Sequence, residues 1–159
     1  MNHLECLVKQ FYEWKGYIVR NNVRVGPLKH GGFESELDIV AYHPATQHLV
    51  HLEPSVDADS WKTRERRFQK KFDTGRKYIC TEVFPWLQDT NVSIEQVAIL
   101  ISGARRELAG GKVESIDEFV KRVKDEVAKE RSAYRNAISE EFSLLRTIQF
   151  VVCGFYKAL

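Results

Sequence analysis

Two β-prone segments, Ser35–His43 and His48–Pro54, are separated by only four residues, Pro44-Ala-Thr-Gln47. A connection this short leaves room for nothing but an antiparallel hairpin, and it also pins the register. His43 then faces His48, and counting outward Asp38 faces Glu53 and Glu36 faces Ser55. The period-two alternation of a strand puts Glu36 and Asp38 on one face and His51, Glu53 and Ser55 on one face. Leu37, Ile39, Ala41 and Leu52 fall on the opposite face, which is expected to be buried.

Directly opposed residues on a strand pair share a face with Cβ atoms about 4.5–5.5 Å apart, so two carboxylates there repel. Such a pair destabilises a sheet unless something positive lies between Asp38 and Glu53. A hard, oxygen-liganded divalent cation satisfies that need, with Mg²⁺ or Mn²⁺ preferred over a softer metal. The bland reading is a solvated face with screened charges. Val40 and Leu49 share the carboxylate face, which argues that it is not wholly wet.

The remaining pattern sets the hairpin in a mixed sheet. Leu4, Leu7, Val8, Phe11, Tyr12 and Trp14 recur at helical spacing over residues 3–14, and Gly16 ends the pattern. Tyr17–Val25 is β-prone and closes in the turn-rich stretch Gly26–Gly32. Asp57-Ala-Asp-Ser60 offers N-caps for a helix to about Tyr78. Val97–Ile101 is a continuous apolar run, the pattern of a strand covered on both faces. Ser115-Ile-Asp-Glu118 is a capping box before a helix burying Ile116, Phe119, Val120, Val123 and Val127. A last helical segment spans about 139–157. The expected fold is α/β: helix, three-strand meander, helix, strand, in a mixed central sheet with C-terminal helices. All 159 residues form one domain, with an α/β core over 3–102 and a helical extension over 112–159, the composition shifting at Gly110-Gly111.

Asp38, fourteen intervening residues and then Glu53-Pro-Ser55, set on a hairpin in that element order, resembles the PD-(D/E)XK, or restriction-endonuclease-like, nuclease superfamily. Glu5, on the first helix before Gly16-Tyr17, is similar to that family's acidic residue on the first core helix. The resemblance implies that Asp38 and Glu53 bind Mg²⁺ and that Glu5 binds a second metal or orients water. It further implies hydrolysis of a phosphodiester to leave a free 3′-hydroxyl. The sequence departs from the family at Ser55, which stands where the motif has Lys. Either a lysine from elsewhere, with Lys62, Lys70 and Lys71 nearest, serves instead, or the chain is a catalytically impaired nuclease-fold module that binds nucleic acid. For Glu5 the residues alone favour a simple first-turn acid.

Between Lys62 and Lys77 eight basic residues stand against Glu65 and Asp73, +6 in sixteen residues, whereas the whole chain carries only +2. Trp61, Phe68, Phe72 and Ile79 form one inward stripe, which leaves most basic side chains facing out. Lys62, Arg66, Arg67, Lys70 and Lys71 are the expected contacts to a nucleic-acid backbone, DNA foremost. Arg66 and Arg67 would both be reversible to Glu without cost to folding.

Other signals carry less. His48-x-x-His51 puts its histidines on opposite faces of a strand and makes no zinc site; His51 is either an ordinary hairpin histidine or a group that backs Glu53 from behind. Gly31-Gly32 reads as a turn, and Cys6 and Cys153 as small core residues. Three scattered cysteines give no disulfide framework, and with an amphipathic first segment and no apolar stretch of membrane-spanning length this predicts a cytoplasmic protein. A third reading, besides nuclease and binding module, is a subunit whose apolar C-terminal helix forms a homodimer.

Overall fold

The computed structural model describes residues 1–130 and 135–153. Helix α1 (His3–Trp14) leads into strands β1 (Ile18–Pro27), β2 (Phe33–His43) and β3 (His48–Ser55), followed by α2 (Trp61–Tyr78). A π turn (Ile79–Val83) and a 3₁₀ turn (Pro85–Leu87) lead to β4 (Ile94–Leu100), the short β5 (Glu107–Leu108) and β6 (Gly111–Ser115). Helices α3 (Ile116–Ala128) and α4 (Ser143–Val152) complete the described chain. The strands form one mixed sheet in the order β1-β2-β3-β4-β6-β5, antiparallel from β1 to β3, parallel from β3 through β4 to β6, with β5 antiparallel to β6.

The α/β class and mixed sheet agree with the sequence. β4 lies between β3 and β6, sending Val97 and Ile99 into one core and Ala98 and Leu100 into the other. Helices α1, α3 and α4 cover the first face, where Phe11, Val123 and Leu145 pack with Ile39, Ala41, Val50 and Leu52. On the opposite face Phe68 and Phe72 of α2 pack on Ala98, Leu100 and Val113, with Trp61 partly buried at the rim. Ile79 belongs to a separate cluster with Val40, Tyr42 and Leu49.

Several expectations need correction. Gly110-Gly111 does not open a helical region: Gly111–Ser115 is a sheet strand, too short and too charged to show a strand pattern, and only α3 and α4 cover the extension. Helix α4 begins at Ser143 rather than near 139, and the end of the expected helix, residues 154–157, lies outside the described residues. Val120 is exposed on α3, one position off the stripe of Phe119, Val123 and Val127. Cys6 and Cys153 are only half-buried.

Leu37 breaks the alternation. It packs with Val25, Val40 and Phe84 on the α2 side, whereas Ile39 lies on the α1 side. Ladder pairs on either side keep one register (Asn21 with Ile39, Val23 with Leu37), but Asn22 and Asp38 between them are unpaired. Asn22 adopts φ +51°, a left-handed conformation that asparagine tolerates better than most residues. The faces of β1 and β2 exchange there, beside Asp38.

Candidate active site

The turn of four residues sets the expected register: His43 pairs with His48, Ala41 with Val50 and Ile39 with Leu52. One step further the backbone ladder opens, and the Asp38 N–H donates to Glu53 Oε1 at 3.1 Å. A side chain thus satisfies the donor released at the break, as a buried amide requires. Pro54, paired with Ile99 of β4, lies past the last β2 pair, which makes a proline tolerable near the middle of the sheet.

Asp38 and Glu53 come together on the α2 side, and the positive group between them is Lys71. Its Nζ lies 2.8 Å from Asp38 Oδ1 and 2.9 Å from Glu53 Oε2. Of the three lysines within sequence reach, Lys71 alone meets the carboxylates, because it flanks the Phe68–Phe72 stripe that docks α2 on the sheet. These groups line a cavity of about 420 Å³ with Glu5, Ser55, Asp57 and Arg67.

The two carboxyls are driven apart. Burial and the adjacent Glu53 push Asp38 up to about 7. Burial acts on Glu53 in the same direction, but the hydrogen bond from His51 and the charge of Lys71 outweigh it, holding Glu53 down to about 2. Lys71 is raised: burial opposes its charge, but Glu53 and Asp38 more than compensate. The trio is therefore one fixed anion, one fixed cation and one carboxyl that changes charge near neutrality, a combination found at sites of proton transfer.

The other expected residues take different places. Glu5 lines the cavity, but its carboxylate closes a capping box, accepting from the Asn2 N–H at 3.0 Å and the Asn2 side-chain amide at 2.7 Å. Ser55 Oγ donates to Asp57 and accepts from Arg67 at 3.1 Å. Asp57 gathers Ser55, Arg67, the Asp59 N–H and Arg64, and these contacts outweigh its burial and hold it well below the usual carboxylate range. Arg64 is buried, and Arg67 is shared among Ser55, Asp57 and Asp59, so neither faces solvent freely. Arg66 and Arg67 are thus not equivalent, and reversing Arg67 would break the Asp57 network. Arg76 and Lys77 pair with Asp73 and Glu34. Among the described residues Lys62, Arg66 and Lys70 of α2 make no ion pair, and they lie exposed at steps of four, one stripe along the helix.

Of the two sequence readings of His51, the structure supports the one that places it behind Glu53; Gln96 and Gly75, which hold it there, were missed. His51 is fully buried, with Nε2 2.8 Å from Glu53 Oε1 and Nδ1 3.2 Å from Gln96 Nε2. One signal was visible: Gly75, inside an 18-residue helix, where glycine costs about 1 kcal/mol relative to alanine. His48 lies toward the other face, bonded to Tyr17 and Glu95 at 2.7 Å each. Those three residues border a second cavity of about 470 Å³, in which Arg122 pairs with Glu114 and Lys15 with Glu126.

As to a metal, Mg²⁺ keeps several waters and needs only one or two protein carboxylates. Asp38 and Glu53, opening on a cavity, meet that requirement. Among the described residues no group of three or more His, Cys, Asp or Glu side chains forms a cage, so solvent or substrate oxygens would complete the shell. No protein-family model matches this sequence, and a search of curated proteins finds no match. No helix among the described residues is long and apolar enough to cross a membrane.

Proposed function

We propose that this chain is a Mg²⁺- or Mn²⁺-dependent nuclease built on a restriction-endonuclease-like core, with Asp38 and Glu53 as metal ligands and Lys71 in the role of the motif lysine. The observation that carries this reading is the ammonium of Lys71 within 2.9 Å of both opposed carboxylates at the rim of a cavity. It removes the main sequence objection, the serine at position 55. When bound, the cation would polarise the phosphodiester and lower the pKa of a bound water.

The protein's own groups have distinct tasks. Glu53 remains ionised and keeps its place across the pH range of the reaction. Asp38 gives up its proton near neutrality and is then free to ligate. Lys71 remains charged, so it acts by stabilising negative charge on the phosphate and its attacking oxygen, not as a base. Lys62, Arg66 and Lys70 hold the nucleic-acid backbone, and Glu5 fixes the start of α1 at the cavity wall.

A second reading is favoured by one observation: Lys71 already bonds both carboxyls and balances the fixed charge of Glu53, so the chain can persist as a nuclease-fold module that binds DNA without cutting it. Incubation with single-stranded, duplex and branched DNA and with RNA, in Mg²⁺ or Mn²⁺, separates the two. The nuclease reading expects cleavage that Asp38→Asn and Lys71→Ala abolish, with nucleic-acid affinity kept within a few-fold. Binding without cleavage of any substrate would favour the module. No salt-dependent binding at all would remove both.

A further inference from the structure

We propose that His51 is a positioning residue for Glu53, locked in one tautomer by Gln96 and given its space by Gly75. The inference rests on reading Asp38 and Glu53 as cation ligands, and it concerns how one of those ligands is aimed.

Gln96 is almost fully buried and its amide has only one satisfactory orientation. Its Nε2 lies 2.9 Å from the Phe72 carbonyl, and its Oε1 accepts from the Arg76 guanidinium. Flipping the amide would set oxygen against the carbonyl and NH₂ against the guanidinium, losing both bonds. The NH₂ group therefore also faces His51 Nδ1, at 3.2 Å. That nitrogen must accept, so the ring proton sits on Nε2 and donates to Glu53 Oε1 at 2.8 Å. Oε1 also accepts the Asp38 N–H and is fully engaged. The other oxygen, Oε2, is left facing Lys71 and the cavity. Glu53 thus offers a single oxygen to a cation.

Gly75 is the steric half of the device. A Cβ at position 75 would lie 2.5 Å from His51 Nδ1 and 2.7 Å from Cε1, inside any real contact distance. The Phe72 ring packs edge-on against the imidazole, 5.6 Å between centroids, and closes a second side. A buried ring bonded at both nitrogens, beside a mid-helix glycine that no turn requires, is the arrangement by which a second layer of groups orients a ligand.

The test is Mn²⁺ binding to the intact chain, followed by electron paramagnetic resonance, together with ¹⁵N NMR of the His51 ring. In wild type, Nε2 should be protonated and Nδ1 bare. Replacing His51 by Phe, which keeps a ring without the donor, should weaken Mn²⁺ binding roughly 10- to 100-fold. H51Q, which keeps an N–H, should restore much of the loss. Gly75→Ala should weaken binding in the same direction, and it serves as the independent variant if His51→Phe does not fold. Wild-type Mn²⁺ affinity in both His51→Phe and Gly75→Ala, with Asp38→Asn abolishing binding, would overturn the role of His51 and leave the metal site standing. A ring protonated on Nδ1 would also overturn it. Binding unchanged by Asp38→Asn would instead overturn the metal site, and His51's role with it.

Discussion

Replacing Lys71 by Met should lower stability by an amount that depends on pH in a particular way. The substitution keeps most of the aliphatic stem and removes only the ammonium that meets Asp38 and Glu53. Breaking a fully buried ion pair by removing one partner costs about 3–5 kcal/mol. Glu53 is only 3% exposed, but the Lys71 and Asp38 side chains are each 23% exposed. Asp38 is moreover near half-protonated at neutral pH, so its share of the pairing is small. The expected loss is accordingly about 2–3 kcal/mol at pH 7. For a chain of this size that is a fall in Tm of roughly 4–12 °C, with an unchanged urea m-value. The sign with pH follows from Glu53, whose folded pKa lies below its ordinary value. Such a group contributes stability that is present above its unfolded pKa and lost as pH falls toward about 2. Without Lys71 the folded pKa rises and part of that contribution goes. The gap between wild type and Lys71→Met should be widest above about pH 5 and shrink steadily on acidification. Urea denaturation at a series of pH values measures it. A gap below about 0.5 kcal/mol at pH 7, or one equally large at pH 3, would mean that Lys71 does not hold Glu53 ionised.

The Asp38 carboxyl, followed by ¹³C NMR, should titrate near pH 7, and Glu53→Gln should move it down toward the ordinary aspartate range by removing the adjacent charge; an Asp38 that titrates normally in wild type would contradict the coupling. If only Lys62, Arg66 and Lys70 contact phosphates, log K against log salt on duplex DNA should have a slope of about −3, not the steeper value of the five contacts expected from the sequence, and Arg66→Ala should make it shallower by about 0.9. Arg66→Ala should leave stability within about 0.5 kcal/mol of wild type. Arg67→Ala, which strips the Asp57 network, should cost on the order of 1–2 kcal/mol; equal urea midpoints for the two variants would show that network to be inert.

The hairpin register was readable because a four-residue turn allows few solutions, and with the register came the facing pair of carboxylates. The apolar stripe of α2 was readable for a similar reason, helical spacing. What the sequence hid was the phase of α2 relative to the sheet. Eight basic residues look alike in a row, but docking Phe68 and Phe72 carries Lys71 to the carboxylates and Arg64 and Arg67 to Asp57, leaving Lys62, Arg66 and Lys70 outside. Leu37 defied alternation because a single left-handed residue, Asn22, exchanges the faces of two paired strands, and no periodicity announces it. For His51 the sequence left two readings, an ordinary hairpin histidine or a group behind Glu53, and could not decide, since its partners Gln96 and Gly75 are remote in sequence and meet it only through the parallel pairing of β3 with β4 and the packing of α2.

Crystals soaked in Mn²⁺ would show whether Asp38 and Glu53 hold a cation, because the metal's anomalous signal locates it without reference to any assay. One peak is expected between Asp38 and Glu53 at ordinary oxygen-ligand distances, with the Lys71 ammonium displaced from between the carboxylates, and no peak in Asp38→Asn. A fully occupied Mn²⁺ elsewhere on the protein, with Lys71 still bonded to both carboxylates, would contradict that expectation.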